Sequence, residues 1–173
     1  QNKRVCLTIA DVTIIPQGAG AAFSQVFDEQ GIAHQNELTS SRIACVDIGY
    51  KTTDFIVLDK LAYLDKLSGS LPLGIVDAHK AILKRLSEEG HELFISDLEK
   101  MSLDAPEYQA VARQIEKNIR PYISEGIEVL LAGGGANQLS KYMRGKVVPC
   151  PEYANAEGYC RIILAQRRQR YGL

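Results

Sequence analysis

The sequence has no excess of either charge, no paired cysteines and no long apolar run, and each absence excludes a class of protein. Its 20 lysines and arginines nearly balance 21 aspartates and glutamates, which leaves a net charge of −1. A chain so close to neutrality has no global attraction for nucleic acid or for an anionic membrane. We therefore expect no direct nucleic-acid partner.

The cysteines lie far apart and form no Cys-x-x-Cys pair. They are Cys6, Cys45, Cys150 and Cys160. Cys45 falls within an apolar stretch, where a thiol packs as a small hydrophobic group. This pattern favours a reducing compartment, and we expect a cytoplasmic protein.

No apolar run approaches the ~20 residues needed to cross a bilayer, and the first residues lack the pattern of a signal peptide. We therefore expect no membrane partner. The chain has 173 residues, of which 46% are hydrophobic and 24% charged, and these values are ordinary for a globular domain with its own core. It begins with Gln1 rather than Met, and we expect a fragment of a longer protein.

The most informative stretch is residues 43–59. Two segments rich in β-branched and aromatic residues, 43–48 and 54–58, flank a polar segment that contains one glycine and two threonines. This pattern predicts a β-hairpin with a polar turn. Asp47 ends the first strand, where a carboxylate remains accessible to solvent and can hold a hydrated Mg2+ through water.

The turn of this hairpin has the composition of an anion-binding loop. Gly49 lets the backbone approach a ligand closely. We expect the main-chain N–H groups of the next four residues, with the threonine hydroxyls, to converge on phosphate oxygens. These residues are Tyr50, Lys51, Thr52 and Thr53. The alternative is a plain surface hairpin in which Asp47 and Gly49 serve only turn chemistry.

Two glycine-containing segments lie on either side of the hairpin in the sequence. Residues 18–27 are small enough to form a helix that packs close to its neighbour, and Gln17 precedes them. Residues 127–132 form a fully apolar run, typical of a buried strand, and Gly133, Gly134 and Gly135 follow directly. Glycines in that position permit close approach of a planar base and a ribose.

The remaining elements are predicted from periodicity and from helix-ending residues. We expect extended segments over 5–16, a loop over 28–42, a third antiparallel strand within 61–71, helices over 74–89, 93–101 and 106–123, a helix from 136, a strand over 146–148 and a last helix from 153. This order describes an α/β layer with a mixed five-stranded sheet flanked by helices.

Several of these segments resemble the actin-like ATPase superfamily, which includes actin, the ATPase domains of heat-shock chaperones and sugar kinases. Residues 47–55 are similar to its second phosphate motif and 129–139 to its adenosine motif. Residues 14–22 and 153–163 resemble the connecting and closing segments of ParM (StbA)-type plasmid-segregation proteins. The motifs occur in the family's order and span nearly the whole chain.

The resemblance implies a fold and a place in a larger protein. The sheet and its helices match the ribonuclease-H-like half of an actin-fold ATPase. Two such halves hold the nucleotide between them, and a second phosphate turn is not found in these residues. The chain therefore resembles the C-terminal half, with 1–30 as the end of the first half and its connecting helix, and 31–173 as the second domain.

The resemblance also implies roles for individual residues around ATP or ADP and Mg2+. Asp47 would organise Mg2+, residues 49–53 would hold the phosphates, and Gln17 would position the attacking water. The adenosine would contact Gly133, Gly134, Gly135 and Asn137. A charged residue of the helix at 106–123 would reach the ribose, and the candidates are Glu116, Lys117 and Arg120. Because an amide is a poor base, hydrolysis with Gln17 would depend on positioning.

The function implied is a filament-forming ATPase of plasmid or DNA segregation, or another prokaryotic cytoskeletal protein. Its partners would be further copies arranged head to tail, the missing N-terminal half and a DNA-binding adaptor protein. Two alternatives stay open, a sugar-kinase-type phosphotransferase and a non-catalytic module that senses nucleotide. A ribonuclease-H-like nuclease is disfavoured, because a two-metal site needs several converging carboxylates.

Overall fold

A computed structural model describes residues 5, 6, 8, 9, 12–34, 37–98 and 104–172. The helices in these ranges are α1 (Ala19–Val26), α2 (Glu37–Ser40), α3 (Ile75–Glu88), α4 (Ile95–Leu98), α5 (Pro106–Ile119), α6 (Ala136–Leu139) and α7 (Ala154–Tyr171). The strands are β1 (Arg42–Ile48), β2 (Thr53–Asp59), β3 (Ala62–Tyr63), β4 (Gly69–Leu71), β5 (Glu128–Ala132) and β6 (Lys146–Val147). Within the ranges described, no helix combines the length and the apolar content that crossing a membrane requires.

The sheet has the order β3-β2-β1-β5-β6, and β4 also pairs with β2. The β1–β2 hairpin is antiparallel, with Ile48 opposite Thr53, whereas β5 runs parallel to both β1 and β6. The prediction of a mixed sheet with five strand positions is confirmed. The predicted hairpin at 43–58 is also confirmed.

The third antiparallel strand is divided into β3 and β4 by a short 3-10 helix, Asp65–Leu67. Ser68 explains how the sheet tolerates the interruption. Its hydroxyl oxygen accepts the N–H of Val57 at 3.0 Å and its O–H donates to the carbonyl of Leu64 at 2.9 Å. A side chain thus takes the place of a main-chain partner along β2.

Both faces of the sheet are covered by helices, which explains why β1 is buried from Ile43 to Ile48. Alternate residues of a strand point to opposite faces. Ala44 and Val46 belong to the core shared with α3, α5 and α6, whereas Ile43 and Cys45 belong to the core shared with α1 and the start of α7. A strand buried on both faces reads as a continuous apolar run.

Helices α1 and α7 cross with their backbones in contact, as the small residues of α1 predicted. A Cβ added to Gly158 would lie 1.7 Å from the carbonyl oxygen of Gly20, and one added to Gly20 would lie 2.3 Å from the carbonyl oxygen of Asn155. Arg161 of α7 donates to the carbonyl of Phe27 at 3.0 Å, just beyond the end of α1. The two helices therefore form one rigid layer against the sheet.

Other boundaries differ modestly from those expected. Helix α5 ends at Ile119 rather than near 123, and the expected loop at 28–42 contains α2. Helix α4 covers only part of the helix expected over 93–101, and residues 99–103 lie outside the described ranges, as do parts of 5–16. The boundary near residue 30 stays a prediction, although α1 packs in the same core as β1.

The helix crossing generates a test of stability. Gly158→Ala would force α1 and α7 apart, because the added carbon overlaps the Gly20 carbonyl. We expect a loss of about 3 kcal/mol or more in the free energy of unfolding, since overpacking of backbone against backbone cannot relax through rotamers. Urea denaturation measures it, with Gln166→Ala on the exposed side of α7 as the control. Equal stabilities for the two variants would contradict this packing.

Candidate functional site

Asp47 is the penultimate residue of β1 and lies where the carboxyl ends of β1 and β5 meet, at the end of the sheet called the site edge below. It pairs with Asp54 across the hairpin and with Ala132 on the parallel side. Only 7% of Asp47 is exposed to solvent. Strand alternation directs Asp47 and Asp54 to the same face as α1 and α7, so this edge carries a concentrated negative charge.

The Asp47 carboxylate is held by two side-chain amides. Asn155 in the first turn of α7 donates from Nδ2 to Oδ2 of Asp47 at 2.7 Å, and the Gln17 side chain also hydrogen-bonds to Asp47. The structure thus brings together the two residues that the sequence predicted as catalytic. Asn155 was not predicted, and the signal that could have found it is a lone amide among small residues at the start of a helix.

The glycine segment 133–135 packs directly against this strand end. Gly133 has φ of +83°, and a Cβ there would lie 2.4 Å from Oδ1 of Asp47. Gly135 donates its N–H to the carbonyl of Ile48 at 2.9 Å, and a Cβ there would lie 2.6 Å from the Ile48 side chain. The predicted adenosine segment and the predicted phosphate carboxylate are therefore neighbours in space.

Gly134 differs from the glycines on either side of it. A Cβ added to Gly134 would meet nothing within 4 Å among the described residues, and the residue is exposed. No contact in the described chain therefore requires a glycine there. Asn137, in the first turn of α6, is likewise exposed. The missing side chain at 134 leaves clearance for a flat group above the strand end.

The hairpin turn is anchored to helix α3. Gly49 donates its N–H to the Thr52 carbonyl at 2.8 Å, which closes the turn. The carbonyls of Gly49 and Tyr50 accept the N–H groups of Ile75 and Val76 at 3.2 and 2.9 Å, and so cap the start of α3. This anchoring holds the exposed tip of the turn beside the edge. The tip consists of Tyr50, Lys51 and Thr52.

Thr53 does not belong to this exposed tip, although the sequence placed it among the phosphate contacts. It is fully buried, and its hydroxyl donates to the carbonyl of Leu73 at 2.8 Å. Thr53 begins β2 and faces the α3 side of the sheet, opposite to Asp54. Its hydroxyl therefore supports the connection to α3, and the expectation of a phosphate contact from that hydroxyl is corrected.

Solved structures with the same arrangement of strands and helices are actin homologs and ParM proteins. The structure superposes on Ta0583, an archaeal actin homolog in complex with ADP, with a TM-score of 0.68 and 23% identity over 88% of this chain and 57% of that one. The chain has the actin fold. No family model and no curated protein matches the sequence.

ParM proteins share the actin fold with this chain. The apo psk41 ParM protein gives a TM-score of 0.73 with 18% identity, over 91% of this chain and 50% of that one. A 15-stranded ParM filament from Clostridium botulinum gives 0.68 and 20%, over 95% and 56%. The resemblance in fold to actin homologs and ParM proteins is confirmed, and the chain spans about half the length of these structures.

The ribose candidates lie at the other end of this half of the actin fold. They are Glu116, Lys117 and Arg120, which line a groove with Val129 and Arg144. Glu116 accepts the main-chain N–H of Arg144 at 2.6 Å. Val129 stands near the start of β5, ~10 Å along the strand from Ala132 at ~3.3 Å per residue. The structure therefore does not bring Glu116 and Lys117 to the edge that holds Asp47, because α5 ends beside the start of β5.

Burial sets the electrostatics of the candidate site. Removal from water raises the pKa of Asp47 above its ordinary value, and the nearby charge of Asp54 raises it further. The hydrogen bonds from Asn155 and Gln17 act in the opposite direction, since they favour the charged carboxylate. An ionised Asp47 is therefore held at a cost to folding, which is typical of functional carboxylates.

Asp47→Asn should make the protein more stable near neutral pH. The raised pKa means that the folded protein binds the Asp47 proton more tightly than the unfolded chain does. The free energy of unfolding of the wild type should therefore fall as pH rises from 3.8, the ordinary value, through the raised value. Removing the charge should add on the order of 1 kcal/mol near neutral pH.

Denaturant titrations across this pH range measure that prediction. The stability of the Asp47→Asn protein should not show this decrease with rising pH. The Asp54→Asn protein keeps the buried carboxyl group of Asp47 and should show most of the decrease. A wild-type stability that rises with pH over the same range, with no gain from Asp47→Asn, would show that burial does not dominate at this position.

Proposed function

We propose that this chain is the nucleotide-binding half of an actin-like, filament-forming ATPase that acts in plasmid or DNA segregation or as a prokaryotic cytoskeletal protein. The observation that carries the proposal is the meeting of three features at one edge of the sheet. These are the held carboxylate of Asp47, the exposed turn at 50–52 and the glycine segment 133–135. In the ADP complex of the archaeal actin homolog, a protein with this fold is bound to nucleotide.

The residues present fit a magnesium nucleotide. Gly134 leaves open space at the strand end, and the absence of a Cβ at Gly133 leaves room for Oδ1 of Asp47 beside it. Among the described residues there is no cluster of three or more His, Cys, Asp or Glu that could bind a metal by itself. That donor set suits Mg2+, which keeps most of its waters and relies on one or two carboxylates with phosphate oxygens.

Each part of the edge would then have one task. Asp47 would hold the hydrated cation, and the N–H groups of the exposed turn would face the phosphates. The glycine segment would admit the nucleoside. When bound, Mg2+ neutralises charge on the phosphates. Gln17, exposed and hydrogen-bonded to Asp47, would orient a water by its amide, so that turnover depends on positioning rather than on a strong base.

The second half of the cleft and the filament belong to the same proposal. The chain spans about half of the actin-fold proteins that it matches, so an N-terminal half would complete the nucleotide site. The similarity to a ParM filament supports head-to-tail assembly of complete copies, and a DNA-binding adaptor would link such a filament to its cargo. All four cysteines are free thiols, which suits a reducing cytoplasm.

Calorimetric titration of Mg-ATP tests the nucleotide site. Gly134→Leu should weaken binding at least ~10-fold, because the side chain would enter the space open to the nucleoside, and its Cβ would meet no atom of the described residues within 4 Å. Asp47→Ala should weaken it comparably by removing the cation's carboxylate. The matched control is Gln138→Leu, at an exposed position of α6, four residues further along the chain. Equal affinity for Mg-ATP in the wild type and in Gly134→Leu would overturn the assignment of this edge.

Light scattering of the protein carrying both halves tests assembly. Mg-ATP should produce a rise in scattering above a critical concentration, since a head-to-tail contact that does not close generates an open filament. Gln17→Ala should assemble normally and disassemble more slowly, because nucleotide is hydrolysed more slowly. A protein that binds Mg-ATP but never scatters at high concentration would contradict the filament proposal and leave the nucleotide proposal standing.

A further inference from the structure

The side chain of Asn155 joins three elements of the fold. It lies in the first turn of α7 and is partly buried. Its Nδ2 donates to Oδ2 of Asp47 in β1 at 2.7 Å, and its Oδ1 accepts the N–H of Ala21 in the first turn of α1 at 3.0 Å. The first N–H groups of a helix have no partner within the helix, so Asn155 also serves as a cap for α1.

The backbone of Asn155 has little freedom to move relative to α1. A Cβ on Gly20 would lie 2.3 Å from the carbonyl oxygen of Asn155 and 2.8 Å from its Cα. One turn further, the contact of Gly158 with the Gly20 carbonyl is closer still. The distance between the first turns of α1 and α7 is therefore fixed by main-chain contact, and the amide of Asn155 is fixed with it.

The chemistry of the position is specific for an amide. The side-chain amide of Asn carries a donor and an acceptor on one planar group of this length, whereas Gln would reach one methylene further. Aspartate at 155 would keep the acceptor for Ala21 but would face the Asp47 carboxylate with a second negative charge. An apolar side chain would leave both partners unsatisfied.

The contact with Asn155 gives the two carboxylate oxygens of Asp47 different surroundings. Oδ2 is engaged by Asn155, whereas Oδ1 points to the glycine segment, where a Cβ on Gly133 would come within 2.4 Å of it. The amide of Asn155 thus fixes the torsion of the carboxylate and leaves Oδ1 beside Gly133 at the end of the strand.

We propose that Asn155 is a positioning residue that orients the Asp47 carboxylate and makes that orientation depend on the spacing of α1 and α7. The inference rests on the proposed function, because it assumes that Asp47 serves a bound magnesium nucleotide. Any movement that separates α1 from α7 breaks the bond to Ala21 or the bond to Asp47. The cation site is then lost without any change in the residues that admit the nucleoside.

The first test needs no nucleotide. In 15N-labelled protein, the side-chain NH2 group of Asn155 should show one proton shifted downfield and slowed in exchange by its bond to the carboxylate. Asp47→Ala should abolish that signature, and Asp54→Asn should preserve it. An Asn155 amide resonance that is identical in the wild type and in Asp47→Ala would overturn the positioning role.

The second test separates positioning from mere structure. Affinity for ATP is measured with Mg2+ and with excess chelator for the wild type, Asn155→Asp and Asn155→Ser. The gain in affinity that Mg2+ supplies should fall about 10- to 100-fold in Asn155→Asp, as for other residues that orient a metal-binding group, while affinity for ATP without metal changes little. Asn155→Ser adds no charge and therefore controls for a folding defect caused by the new carboxylate. This variant should lose part of the increase in ATP affinity that Mg2+ supplies.

The outcomes distinguish this inference from the proposed function. A full Mg2+ gain in both Asn155 variants, with correct folding, would overturn the positioning role and leave the nucleotide site intact. An intact amide signature in a wild type that binds no Mg-ATP, even when both halves are present, would overturn the proposed function while confirming the contact between Asn155 and Asp47.

Discussion

The parallel register between β1 and β5 is the constraint on which the rest of the site depends. Asp47 stands opposite Ala132, so the residues that follow each strand emerge side by side. The two motifs are some eighty residues apart in the sequence, and only this pairing brings them together. Because β1 and β5 run parallel, their carboxyl ends lie at the same end of the sheet, and ligands bind beyond the carboxyl ends of the strands in open α/β sheets. The helices α1 and α7 then close one side of that edge.

A buried carboxylate at this edge works against folding. Hydrogen bonds from Asn155 and Gln17 offset part of the loss of hydration, and the cross-strand Asp54 opposes them. A carboxylate with a raised pKa at the carboxyl ends of the strands is the kind of group that functional sites contain. Many proteins keep such locally unfavourable groups at their functional sites and gain stability elsewhere, here from two apolar cores on opposite faces of one sheet.

Much of the fold could be predicted from local pattern, and the misplaced residues share a cause. The hairpin and β5 follow from runs of apolar residues, α1 from a run of small residues, and α3 and α5 from helical periodicity, and glycines or prolines mark several of their ends. Thr52 and Thr53 look equivalent in the sequence, yet Thr52 lies exposed in the turn whereas Thr53 begins β2 and is buried against the α3 side, and local pattern does not show where the turn ends. Helical periodicity shows which side of α5 faces solvent, but it does not show that Glu116 lies near the start of β5 while Asp47 lies beside its end. The sequence marks Asn155 only as a lone amide at the start of a helix, and its contacts with Asp47 and Ala21 follow from the helix crossing.

The outermost strands of the sheet, which are distinct from the site edge, have a consequence for solubility. The interrupted strand on one side consists of β3 and β4, with two and three residues, and β6 on the other side has two. A long flat edge invites another chain to add a strand irreversibly, as in amyloid, and short broken edges prevent this. A protein proposed to polymerise and depolymerise on demand needs that protection more than most. The Ser68 hydroxyl, by replacing a strand partner for Val57, allows the edge to stay blunt while β2 keeps its hydrogen bonds.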